Sequence, residues 1–215
     1  MPAEPHARLI LVRHGQSEAN AANRFTGWSN PPLTERGREE AAVLARRLMD
    51  AGVLPDRVFC SALQRSADTA RIMLATMDRE DVPLVCNLAL NERDYGGLAG
   101  MNKAEAAERF GAEQVHRWRR SYTERPPEGE SLRDTAARVL AYYVNTVLPQ
   151  VMQGGNTLIV AHGNSLRALV MALDGLDEEE IQKFSLSTGT AVVYELTETT
   201  AFCGREVLSR KKETA

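Results

Sequence analysis

The sequence predicts an α/β fold: a three-layer sandwich with a mostly parallel central sheet and helices on both faces. Three observations carry this. Residues 9–12, Leu-Ile-Leu-Val, and residues 157–161, Thr-Leu-Ile-Val-Ala, are apolar runs long enough for buried parallel strands and too short for buried helices. Strand-like and helix-like stretches alternate along most of the chain, as parallel strands with crossover helices require. A length of 215 residues, 43% apolar and 26% charged, suits one such domain with a full core.

Residues 1–7 read as a loose tail. The first strand breaks into Arg13-His14-Gly15-Gln16-Ser17, at the carboxyl end where an open α/β sheet binds ligands. Gly15 would let the backbone approach a ligand closely. A loop rich in turn formers, residues 23–32, follows. Thr34 is the expected N-cap of a helix with Glu35 at its positive end. Ala41, Leu44, Ala45, Leu48 and Met49 form that helix's apolar stripe, and Gly52 closes it. Residues 57–61 read as a second strand. The helix after it carries Arg65 and buries Ala67, Ala70, Leu74 and Met77. Residues 83–86 form a short strand.

Residues 87–130 break the rhythm: they are polar, rich in Glu and Arg, with helical patterns at 104–110 and 113–122 and a Pro126-Pro127-Glu128-Gly129 end. They read as a cap excursion over the site within a single domain spanning 1–215. Ser131 and Asp134 resemble a capping box. The following helix has Val139, Leu140, Tyr143, Val144, Val147 and Leu148 at helical spacing, with Pro149 ending or kinking it. The strand at 157–161 ends in His162-Gly163-Asn164-Ser165, and a helix runs through Leu173. Residues 190–196 alternate like a strand, and the charged tail 209–215 is expected to be mobile.

The formal net charge is −3, so no global basic field draws the chain to nucleic acid or membrane, and an anion site must come from clustered cations. No apolar run approaches the roughly 18 residues of a spanning helix, and the N-terminus lacks a secretory h-region. Cys60, Cys86 and Cys203 are an odd, widely spaced set, which disfavours a disulfide framework or zinc site and fits a reducing cytoplasm.

Two buried strands each ending in His-Gly form the most informative pattern. A lone histidine after a strand is more often structural. Two on neighbouring parallel strands would present both rings at one sheet edge. A metal site would want a third ligand and no crowding cations, whereas Arg13 and Arg167 flank these histidines. Arginine forks suit phosphate oxygens, and an imidazole can attack phosphorus. A general acid must then protonate the leaving oxygen.

Arg13-His14-Gly15 and His162-Gly163 resemble the histidine phosphatase superfamily. Asn23-Arg24-Phe25-Thr26-Gly27-Trp28, the block from Leu90 to Lys103, Trp118-Arg119-Arg120-Ser121-Tyr122, the run from His162 to Arg167, and Ser187-Thr188-Gly189 look like its cofactor-dependent phosphoglycerate mutases. The resemblance covers about residues 8–196 and implies a phosphoglycerate mutase-like fold. It implies interconversion of 2- and 3-phosphoglycerate through a phosphohistidine, primed by 2,3-bisphosphoglycerate, with no metal. His14 would be the nucleophile and Arg13 a phosphoryl clamp. His162 would stabilise the transition state, Arg65 would complete the phosphate pocket, and Glu92 would be the acid and base. Ser17, Asn20, Thr26, Gly27, Arg93, Tyr95, Lys103, Arg119, Arg120, Gly163 and Asn164 would hold the bisphosphorylated acid. Without the motif, Glu92 reads as a surface carboxylate and Arg119-Arg120 as a solvated helix face.

The expected partners are small phosphoglycerates, with a homo-oligomer left open and neither nucleic acid nor membrane expected. Longer relatives carry an insertion between the arginine pair and the long helix, where this chain passes from Tyr122 to Ser131 in a few residues. Ala19 stands where an aromatic is usual and Ser187 where proline is common. The alternatives are a histidine-type phosphomonoesterase, with water as acceptor, and a non-enzymatic phospholigand-binding protein.

Overall fold

The structure, a computed structural model, describes residues 6–199 and 201–208; the tail at 209–215 lies outside the described residues. Six strands form one sheet: β1 (Ala7–Arg13), β2 (Arg57–Ser61), β3 (Leu84–Asn87), β4 (Gly155–Ala161), β5 (Ala191–Leu196) and β6 (Phe202–Leu208), in the order β3-β2-β4-β1-β5-β6. The β3-β2, β2-β4 and β4-β1 pairings are parallel, while β5 and β6 join antiparallel.

Strand alternation feeds two cores. Leu9, Leu11, Ile159 and Ala161 point to one face, where they meet α6 (Leu132–Tyr142), α7 (Leu148–Val151) and α8 (Gly163–Asp174). Ile10, Val12, Val58, Leu158 and Val160 point to the other, against α2 (Glu35–Asp50) and α3 (Gln64–Thr76). Each fully buried Val, Leu or Ile among them contributes about 1.5–3 kcal/mol. Helices therefore cover both faces, and the chain is an α/β three-layer sandwich.

Thr34 caps α2, its side chain accepting from the Gly37 amide, and Ser131 and Asp134 form the capping box of α6. Two apolar residues depart from their expected stripes. Met49 is 38% exposed and Val144 is 54% exposed, because each lies at the solvent edge of its helix. Pro149 neither ends nor sharply breaks the long helix. A π-helical turn at Tyr143–Val147 precedes it and the helix continues as α7, the wider turn accommodating a ring that has no N–H to give. The periodicity does not reveal α9 (Glu178–Lys183) or β6.

Between β3 and α6 lie two 3-10 turns, Leu88–Leu90 and Gly96–Leu98, then α4 (Lys103–Phe110) and α5 (Ala112–Arg120). Leu98, Ala106 and Val115 bury themselves with Phe25 in a small third core. A short helix, α1 (Glu18–Ala21), leads into the Phe25 loop. That loop is tied to the excursion by the Phe25 and Lys103 amides, which donate to the carbonyls of Met101 and Asn23.

Candidate active site

Register brings the two histidines together. β1 pairs with β4 so that Arg13 stands opposite Ala161, and the next residues along are His14 and His162. Their ring centroids are 4.9 Å apart, edge to face. β2 flanks β4 on its other side, and Ser61 at its end places its Oγ 2.6 Å from His162 Nε2. A parallel sheet thus converts three strand ends into one row of functional groups.

His14 is almost fully buried, and its Nδ1 lies 2.6 Å from the Gly15 carbonyl. A carbonyl only accepts, so Nδ1 carries the proton and Nε2 keeps its lone pair. Burial holds His14 well below the ordinary histidine range, and the Arg65 and Arg13 charges push it the same way. His162 is also buried and neutral for the same leading reason, followed by Arg65, His14 and Arg13. Its Nδ1 is buried without a hydrogen-bond partner among the described residues.

The loop after His14 is locked from α2 and α3. The Gly15 amide donates to Thr69 Oγ1 at 3.1 Å, and the Gln16 amide donates to Glu40 Oε2 at 2.9 Å. A Cβ on Gly15 would sit 2.1 Å from the Gly37 carbonyl oxygen. The close approach that Gly15 permits is therefore to the backbone of α2, rather than to a ligand as the sequence suggests.

Arg65 is buried on α3, donating to the Ser29 and Gly27 carbonyls at 2.9 and 3.1 Å. Burial lowers it to about 10, so it remains a cation at neutral pH. Arg13 is lowered too, chiefly by burial, and packs along Gly163, where a Cβ would lie 3.6 Å from its guanidinium carbon.

Glu92 is nearly buried, and three donors converge on one of its oxygens. The Arg93 amide lies 2.9 Å from Oε1, and the Asn164 amide and side-chain nitrogen both lie at 3.1 Å. Arg138, from α6, holds the backbone beneath it by donating to the Ala89, Asn91 and Glu92 carbonyls at 2.8, 2.9 and 2.9 Å. Its charge is matched by Glu130 at 2.8 Å.

Arg13 and Glu92 border a cavity of about 180 Å³, and the buried His14, His162 and Arg65 lie behind its wall. Among the described residues, Arg13, Arg24, Lys103, Arg119, Arg120 and Arg167 line it, against the single carboxylate Glu92. Of the residues expected to hold substrate, Asn20, Thr26, Tyr95, Gly163 and Asn164 also lie on its wall. Ser17, Gly27, Arg65 and Arg93 do not. The Ser17 side chain caps α1, Gly27 turns the chain at φ +54° while its carbonyl receives Arg65, and Arg93 lies fully buried against Tyr95 and the Arg119 carbonyl.

Arg24 and Arg167 are wall residues outside the set expected to hold the bisphosphorylated acid, although the Arg167 fork after His162 already suits a phosphate. Arg167, one turn after Asn164 on α8, donates to Asn164 Oδ1 at 3.0 Å and to the Ile181 carbonyl at 2.7 Å. Burial lowers it to about 10, with the neighbouring Arg93 and Arg120 adding to that. Its place in His162-Gly163-Asn164-Ser165-Leu166-Arg167 was the available signal. Lys103 is lowered as well, first by burial and then by Arg119. A wall that sets these cations against the Glu92 carboxylate is an electrostatic mould for a polyanion.

The profile of the histidine phosphatase superfamily (branch 1) matches residues 9–205. A 2,3-bisphosphoglycerate-dependent phosphoglycerate mutase from Bartonella bacilliformis is 52% identical over 200 residues, covering 93% of this chain and 97% of that protein. One of the same name from Methylobacterium radiotolerans is 52% identical over 202 residues, covering 94% and 95%. Among solved structures, the alpha-ribazole phosphatase from Shigella flexneri superposes with a TM-score of 0.76 at 30% identity, covering 91% of this chain and 93% of that one.

Proposed function

The chain belongs to the histidine phosphatase superfamily, and on that premise we propose that it interconverts 2- and 3-phosphoglycerate as a 2,3-bisphosphoglycerate-dependent mutase. The observation that carries this reading over a simple phosphomonoesterase is the charge of the cavity wall. Among the described residues, six cations against one carboxylate exceed what one phosphate needs. Two phosphates and a carboxylate carry about −4 to −5 at neutral pH, which such a wall would neutralise.

In this reading His14 Nε2 attacks the phosphorus, forming an N–P bond as the P–O bond to the leaving oxygen breaks. Arg13 and Arg65 stabilise charge on the equatorial oxygens, and one of those oxygens becomes the missing partner of His162 Nδ1. Three donors on Glu92 Oε1 leave Oε2 to hold the proton for the leaving oxygen and later to take it back. Lys103, Arg119, Arg120 and Arg167 hold the far phosphate and carboxylate. Ser17, Gly27 and Arg93 support the wall from behind. Bound 2,3-bisphosphoglycerate supplies the phosphoryl group that primes His14. The segment 87–130 serves as the cap, contributing Glu92, Lys103 and the arginine pair. No helix among the described residues is long and apolar enough to cross a membrane, and the three free thiols support a reducing, cytoplasmic setting.

The test is 3-phosphoglycerate isomerisation in excess chelator, with and without catalytic 2,3-bisphosphoglycerate, while free phosphate is followed. Turnover that depends on the bisphosphate and releases little phosphate supports the mutase. Phosphate release without isomerisation makes water the acceptor and the chain a phosphatase.

A further inference from the structure

Away from the cavity, Cys60 and Cys86 occupy directly opposed positions on the parallel strands β2 and β3. Their sulfurs lie 2.6 Å apart, well inside van der Waals contact, although both are free thiols. Cys86 is exposed on the sheet's edge strand, while Cys60 is wholly buried behind it. Cys203 lies on β6 at the opposite edge, five strand spacings or about 24 Å away.

We propose that Cys60 and Cys86 form a reversible intramolecular disulfide, a redox-modification site that reacts with small disulfides such as oxidised glutathione. The Cys86 thiol gives its proton to solvent, and its sulfur attacks one sulfur of the small disulfide. That S–S bond breaks, and the released thiolate takes up a proton. The Cys60 thiol then loses its proton, and its sulfur attacks Cys86 Sγ, releasing the second small thiol. Two protons and two electrons pass to the small disulfide, which is reduced to two thiols. The order follows from access, since only Cys86 meets solvent. Burial, and then the contact with Cys86, also hold the Cys60 thiol well above the ordinary range, so it keeps its proton until Cys86 has reacted.

The position gives the bond a consequence for the frame of the site. Cys60 immediately precedes Ser61, whose hydroxyl meets His162, and β3 leads within a few residues to Asn91, whose side-chain oxygen accepts from the Ala62 amide at 3.1 Å. A covalent rung here would join the strand supporting His162 to the strand leading into Glu92. Transient disulfides of this kind are the form found in reducing compartments.

The experiment uses the full chain carrying Cys203→Ser, which removes the remote exposed thiol. After treatment with oxidised glutathione, both remaining thiols should become untitratable while the intact mass falls by about two daltons, the two hydrogens lost, with no glutathionyl group retained. Peptide mapping should then link Cys60 to Cys86, and dithiothreitol should restore both thiols. Adding Cys60→Ala should trap one glutathionyl group on Cys86, and adding Cys86→Ser instead should leave Cys60 unmodified. A Cys203→Ser chain that stably retains glutathione on Cys86, stays unmodified, or cross-links only between chains would overturn the proposal, whether or not the Cys60 variant folds.

Discussion

Asn164 grips Glu92 twice, its backbone amide and its side-chain nitrogen both lying 3.1 Å from Oε1. Asn164, in the first turn of α8, therefore also orients the carboxylate brought in by the excursion, and one turn later Arg167 holds the Asn164 oxygen. Replacing Asn164 with Ala removes one donor and loosens Glu92. Negative charge develops on Glu92 as its proton leaves, and a hydrogen bond to a charged group is worth about 1.5–3 kcal/mol, so kcat for phosphoglycerate should fall at least about tenfold. Hydrolysis of p-nitrophenyl phosphate, whose leaving group needs no proton, should change less than about threefold. Equal losses with both substrates would mean that Asn164 does not act through the general acid.

His14 and His162 are both buried and neutral, held well below the ordinary range chiefly by burial. In the unfolded chain each titrates near about 6.5, so below that pH the unfolded state binds more protons. Their contribution is complete above this value and is lost as the pH falls below it toward the depressed native values. Urea unfolding between pH 7 and 5.5 should show stability falling by up to about 1.4 kcal/mol per pH unit for each histidine. His14→Asn should make that slope shallower by about one proton. An unchanged slope would contradict the buried neutral imidazole.

Gly15→Ala should cost about 3 kcal/mol, because the new methyl meets the Gly37 carbonyl at 2.1 Å and both sides of the contact are backbone. A urea midpoint equal to that of the parent would show that the loop relaxes away from α2. Activity should fall in parallel, since the Gly15 carbonyl holds the His14 tautomer.

Arg119→Ala should weaken 2,3-bisphosphoglycerate binding, read as a rise in its Kd of about tenfold or more, while leaving hydrolysis of a small phosphate ester nearly unchanged. Arg119 lies on the cavity wall with Lys103 rather than beside His14, so it should meet the far end of a long anion. Equal effects on both would remove it from the substrate clamp.

The features legible in the sequence were those carried by local chemistry. Residues 57–61 read as a strand and form one; Thr34 and Ser131 cap the helices they were expected to cap. The fold class followed from the two apolar strands, and the pairing of His14 with His162 followed from their matching strand ends. What escaped depends on partners distant in sequence. Arg138 looks like a solvated helix residue until three carbonyls from residues 89–92 close around it. β6 mixes exposed Phe202 and Val207 with charge, so its alternation is lost, and it exists because β5 offers it a ladder. The Cys60–Cys86 contact arises from the β2-β3 register, which spacing along the chain does not encode.

In the proposed cycle His14 carries the phosphoryl group. The measurement is to incubate the protein with radiolabelled 2,3-bisphosphoglycerate, quench in alkali, and map the label. The expected result is about one acid-labile, alkali-stable phosphoryl group per chain on the peptide containing His14, turning over when 3-phosphoglycerate is added and absent from His14→Ala. Label on His162 or elsewhere, or isomerisation by His14→Ala, would contradict it.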